Sequence, residues 1–129
     1  MPISPQWDNE NHTIIRYHTQ GDWELEEYSR ANFHTWSMIE SVDHPVHVIV
    51  DFTHANGFPK NLLSFASTTN SQIHPRQSLI IGVKISPYLQ TVVGLAVRVF
   101  PRLGHNLFFT KTLAEAYEII QKHDAQSAR

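Results

Sequence analysis

The amino-acid sequence predicts an α/β fold: a mixed, mostly parallel sheet with an N-terminal hairpin and flanking helices. Three observations carry the prediction. Short β-branched runs alternate with segments of helical period, the order that builds strands joined by crossover helices. Two of those runs, VHVIVDF (residues 46–52) and LIIGVKI (79–85), are apolar at nearly every position, as strands covered on both faces are. A further pair of β-prone runs at the start of the chain is split by Asp8, Asn9, Glu10 and Asn11, a cluster that favours a turn.

The hairpin is expected from Ile3–Trp7 and residues 13–18. Beyond Gly21 and Asp22 the period turns helical. Leu25, Tyr28, Asn32, Trp36 and Ile39 mark one face, with Glu26, Glu27, Arg30 and His34 opposite. Asn32 interrupts the apolar stripe, and the sequence offers no reason for it. His44-Pro45 ends this helix, because the residue before a proline avoids the helical conformation. After the strand at 46–52, a loop with Gly57 leads to Pro59, which suits the first position of a helix over residues 61–70. His74-Pro75 interrupts the chain again, and the strand at 79–85 follows. Ser86-Pro87 is a cap-then-proline start for a helix over residues 86–104. LFFT at 107–110 is the next core strand, and Thr112 with Glu115 fits a capping box. Leu113, Ala116, Tyr117 and Ile120 give the last helix its core face, and the polar residues 124–129 are expected to fray.

Composition narrows the function classes. The 129 residues are 41% hydrophobic and 17% charged, which supports a packed core and excludes a disordered chain. With no internal repeat or linker, residues 1–129 read as one domain. The absence of cysteine excludes disulfides, a thiol nucleophile and thiolate metal sites. Ten basic and twelve acidic residues leave a formal charge of -2, so nucleic acid is not an expected partner. No apolar run approaches the roughly 20 residues of a membrane span. Residues 1–10 lack the basic start and apolar stretch of a secretory signal, so a cytoplasmic location is expected.

Several segments together resemble the SpoIIAA-like branch of the STAS, or anti-sigma-factor antagonist, domains. They are GDWELEEY (21–28), HPVHVIVDFT (44–53), GFP (57–59), HPRQSLIIGV (74–83) and FFTKTLAEAYEII (108–120). The resemblance runs from about Ile14 to Lys122 and rests on the order and spacing of the motifs. It implies a mixed sheet flanked by helices, related to the lipid-carrying CRAL-TRIO domains, and a habit of forming dimers. It also implies a phosphorylated serine, after an aspartate, at the start of the helix that follows the second core strand. Here that stretch is Phe58-Pro59-Lys60-Asn61, with no serine or threonine, so the phosphoswitch does not carry over.

Few residues suggest chemistry. None of the nine histidines forms an i, i+4 pair or an H-E-x-x-H motif, so neither a metal nor another cofactor is expected. Asp51 sits in an apolar strand and His54 follows it, near the carboxyl edge where open α/β sheets bind ligands. A buried carboxylate needs donors, and the expected ones for Asp51 are loop amides around residues 54–57. Such a residue ending this strand is a regular feature of the family that the sequence resembles. No nucleophile with a matched base is evident, so a catalytic site is not expected. Trp7, Trp23 and Trp36 read as core or hairpin anchors, since no basic residues interleave with them.

The most informative segment is SPYLQTVVGLAVRVFPRLG at 86–104. On a helical wheel Leu89, Val92, Val93, Ala96, Phe100 and Leu103 form one stripe, enough to cover a sheet. Tyr88, Leu95 and Val99 form a second apolar strip, with Arg98 and Arg102 on the polar side. The second strip could pack under a neighbouring helix, line a pocket for a small apolar or lipid ligand, or meet a second copy. A homodimer interface of Tyr88, Leu95, Val99, Arg98 and Arg102 is the expectation, in a non-enzymatic regulatory or protein-interaction module. A carrier or sensor of a small apolar or lipid ligand is the alternative. Lys84 could extend the basic patch, with Glu24, Glu26, Glu27 and Glu40 as an acidic counterpart on the first helix.

Overall fold

The computed structural model describes residues 3–55, 62–104 and 106–127. Its five-stranded sheet has the order β1-β2-β3-β4-β5. β1 (Ile3–Trp7) pairs antiparallel with β2 (Ile14–Gly21). β3 (Val46–Ala55), β4 (Gln77–Val83) and β5 (Leu107–Thr110) follow, each parallel to the strand before it. The sheet is therefore mixed and mostly parallel, as its apolar runs require. At the hairpin turn the Asn9 side chain accepts from the amides of Thr13 (3.0 Å) and Ile14 (3.2 Å). His12 takes the left-handed conformation (φ 54°) and stacks on Trp7 with ring centres 4.4 Å apart.

Alternation along the strands divides the core in two. Ile15, Tyr17, Val48 and Val50 face one layer, where they pack with Trp23, Tyr28, Ala31 and Ile39. That layer holds α1 (Leu25–Glu40) and α2 (Leu62–Ser71). Ile14, Ile49, Leu79, Ile81 and Val83 face the other side, where α5 (Leu113–Ser127) covers them with Ala116 and Ile120. Ser86 caps α3 (Pro87–Val99), accepting from the Leu89 amide at 3.2 Å. The Thr112 hydroxyl accepts from the Glu115 amide at 3.1 Å and starts α5. Among the described residues no helix is long and apolar enough to cross a membrane.

Four sequence expectations need correction. The single helix over 86–104 is broken: Phe100 leaves the helical region (φ -121°, ψ 80°), and α4 (Pro101–Gly104) is a separate short turn. Pro101 forces this, because it has no amide to donate and disfavours the α conformation at Phe100. Residues 124–127 do not fray but continue α5 to Ser127, and Asp124 is held by His47. Residues 128 and 129, and the loop with Gly57 and Pro59, lie outside the described residues. Trp36 is no core residue: it is 36% exposed and rests against the His74 ring, 4.5 Å between centres. The 46–52 strand also runs on to Ala55.

The structure explains Asn32. It is buried, and its carbonyl accepts from the Tyr17 hydroxyl of β2 at 2.7 Å. Its amide donates to Gln72 at 2.9 Å, and Gln72 donates on to Ser29 at 2.9 Å. Beside this chain the Tyr28 hydroxyl meets Thr69 at 2.8 Å. A short polar belt thus joins β2, α1 and the end of α2, where an apolar residue at position 32 would leave the phenol of Tyr17 without a partner. Burial pushes the Tyr17 and Tyr28 phenols above the ordinary tyrosine value, so both stay neutral donors. Asn32→Ala should lower the unfolding free energy by about 1–3 kcal/mol, read as a lower urea midpoint.

Candidate functional site

Ser86 and Pro87 set the start of α3, and its period then places two apolar strips on its surface. None of its residues is fully buried. Leu89, Val92, Val93 and Ala96 are half-buried toward the body of the domain, while Tyr88, Leu95 and Val99 are 72%, 59% and 64% exposed. Spacings of seven and four residues put these three on one face. No helix of the described chain covers them.

The charged members of the expected interface are less uniform. Arg98 is exposed in the last turn of α3, where a cation suits the negative end of the helix dipole. Arg102 lies beyond the break, on α4, and donates to the Ile73 carbonyl at 2.9 Å. With the Leu103 amide, which donates to Asn70 at 2.9 Å, it fastens α4 to the end of α2. Arg102 therefore does not continue the polar side of α3. The acidic counterpart on the first helix is mostly engaged at home. Glu26 pairs with Arg30 at 2.7 Å, Glu27 accepts from the Glu24 amide at 3.1 Å, and Glu40 accepts from His74 at 2.8 Å.

At the carboxyl edge of β2 and β3 the structure brings Asp51 and His54 to one hollow of about 150 Å³, together with His18, Thr19 and Gln20. Of the loop amides expected for Asp51, those of residues 56 and 57 lie outside the described residues. The Asp51 carboxylate accepts from the amide (3.0 Å) and the hydroxyl (2.5 Å) of Thr53, two residues along the same strand. The Thr19 hydroxyl donates to the Asp51 backbone carbonyl. These bonds account for Asp51 as a local brace, and none joins it to His54, so the two form no acid–base pair.

Sequence reasoning missed two buried histidines that do structural work. The β3–β4 register shifts between Val46 and Val48. There the Leu79 amide donates to His47 Nδ1 at 3.2 Å, so the imidazole replaces a ladder carbonyl. With Nδ1 accepting, Nε2 carries the proton, and it donates to Asp124 of α5 at 2.8 Å. His123 lies beside the pair, and one ligand atom from each of the three falls within 4.8 Å of the others. A metal there would need a lone pair on Nε2 and a proton on Nδ1, facing the Leu79 amide. That polarity is reversed from the usual second-shell bond, and the trio reads as a clamp on α5.

His74 repeats the arrangement: its Nδ1 accepts from the Arg76 amide at 2.9 Å and its Nε2 donates to Glu40. The Arg76 guanidinium donates to the Ile39 and Val42 carbonyls at 3.1 and 2.9 Å, which closes the carboxyl end of α1. On the opposite face of the sheet, the Tyr117 hydroxyl donates to Asp8, whose carboxylate lies 3.5 Å from Arg16. Partial burial and the Asp8 carboxylate push that phenol up to about 12. The only signal for these residues in the sequence is that His47 and His74 each follow or precede a proline at the start of a core strand.

Fold and sites together define an α/β domain with one apolar helix face left uncovered among the described residues. Comparison of the chain with protein-family models and with curated proteins finds no match.

The Glu40 bond has a pH signature. The hydrogen bond from His74, helped by the charge of Arg76, holds this carboxyl below the ordinary carboxylate value. A carboxylate whose folded value is depressed contributes fully above its unfolded value, about pH 4.3, and loses that contribution as pH falls through the folded one. Thermal unfolding of wild type and Glu40→Ala should differ by a steady margin above about pH 5 and converge below about pH 4.

Proposed function

We propose that this chain is a non-enzymatic regulatory or protein-interaction module of SpoIIAA-like STAS type, working in the cytoplasm as a homodimer that meets through α3. The exposed strip of Tyr88, Leu95 and Val99 carries the reading. A helix with polar residues over the same arc would need no covering, whereas three large apolar side chains in line are the mark of a surface that is covered in the working state. A two-fold axis lets one such strip cover its own copy, so no second complementary patch is required. Arg98 at the rim of the strip would influence orientation more than affinity. The resemblance to a family that forms dimers supports the same reading. The Asp51 carboxylate, bonded to Thr53 rather than to His54, supports the non-enzymatic part.

Light scattering on the purified chain should give twice 14.9 kDa. Leu95→Glu or Val99→Glu should halve the mass and leave the circular dichroism spectrum unchanged, because both positions are exposed in the protomer. A wild type that stays at 14.9 kDa up to millimolar concentration would overturn the reading.

A further inference from the structure

α5 packs against β3, β4 and β5, and the carboxyl edge of β2 and β3 keeps an open hollow of about 150 Å³. In the parallel register His18 lies beside Asp51, and Gln20 beside His54. The ladder is irregular here, since two steps along β2 match three along β3. On a regular strand residues 51 and 54 would face opposite ways. The shift lets both border the same hollow, together with His18.

Two imidazoles and a carboxylate are metal-ligand groups, and here their lone pairs are largely unspent. Both bonds from Thr53 fall on Asp51 Oδ1, and Oδ2 accepts none among the described residues. The His54 ring is exposed, and neither of its nitrogens is hydrogen-bonded among the described residues. His18 Nε2 accepts only a long contact from Arg16 Nε, at 3.4 Å, and Asp8 stands 3.5 Å from that same Nε as another partner for it. His47 is the opposite case, with both nitrogens committed to Leu79 and Asp124.

We propose that His18, Asp51 and His54 form a binding site for a divalent transition-metal ion of the zinc type, with water completing its coordination. Two imidazole nitrogens and one carboxylate oxygen suit such an ion, whereas calcium and magnesium take oxygen ligands. The three groups border the hollow without converging on one point. Binding therefore draws the rings inward by side-chain rotation, and Arg16 turns to Asp8. The site spans two strands, where no helical histidine spacing marks it in the sequence. It stands whether the chain is a dimer or a monomer.

Zinc alone is the probe, titrated into tag-free full-length protein in a non-chelating buffer near neutral pH. Binding is followed by calorimetry and by the histidine ring signals in NMR. One ion per chain is expected at micromolar zinc, with shifts at His18 and His54 and none at His47 and His123. His18→Ala, His54→Ala and Asp51→Asn should each weaken binding by about tenfold or more, and His123→Ala should leave it unchanged. His54 is exposed, so its replacement preserves the fold and decides the matter even where another variant does not fold. The proposal fails if zinc binding does not saturate, or if the shifts fall on His47 and His123 instead. It also fails if His54→Ala binds zinc as tightly as the wild type.

Discussion

β3 and β4 are apolar on both faces, and the architecture follows from having to cover them twice. From Val46 to Val50 and from Leu79 to Val83 every residue is buried, whichever way its side chain points. One helical layer cannot do this. α1 and α2, with α3 beyond them, take one side of the sheet, and α5 alone takes the other. The antiparallel hairpin completes an edge without needing a crossover, and its β1 carries Pro5, which has no amide to offer a further strand. Because a single helix covers the second face, its attachment is reinforced where its apolar residues run out. Tyr117 bonds to Asp8 near its start, and Asp124 bonds to His47 near its end.

Polar side chains inside the domain work as connectors between elements whose apolar surfaces alone would allow sliding. Asn32 and Gln72 fix α1 against β2 and α2. His47 fills the shift in the β3–β4 ladder, and His74 with Arg76 ties the start of β4 to the end of α1. Apart from the Arg76 Nε, which is buried without a hydrogen-bond partner among the described residues, the donors and acceptors of these connectors are matched, which is what makes burying them tolerable. Each bond is directional and sets a register that hydrophobic contact leaves loose.

Much of the fold was legible because its signals are local. The runs at 46–52 and 79–85, the turn at Asn9, the caps at Ser86 and Thr112 and the two strips on α3 all depend on neighbours within a few residues. The break before Pro101 was legible by the same rule applied at Pro45, but the strong apolar period on either side masked it. What could not be read were pairings between distant positions. Asn32 meets a partner 40 residues away and His47 one 77 residues away. The polar end of α5 looked unpatterned because it is held by one buried imidazole and not by an apolar stripe. For Asp51 the partner that the structure describes is very near: Thr53, two residues along the same strand. The exposed strip was visible as excess apolar surface.

The order of strands in the sheet equals their order in the chain, and this bears on synthesis. Each new strand can be added to the edge left by the previous one, with no insertion between pairs already made. The α5 contacts are the exception: Tyr117 reaches back 109 residues to Asp8, across the longest span among the bonds described. A nascent chain therefore has one side of its sheet complete while the other still shows bare isoleucine, leucine and valine to the cell. Until α5 leaves the ribosome, that surface has only water or a chaperone to meet it.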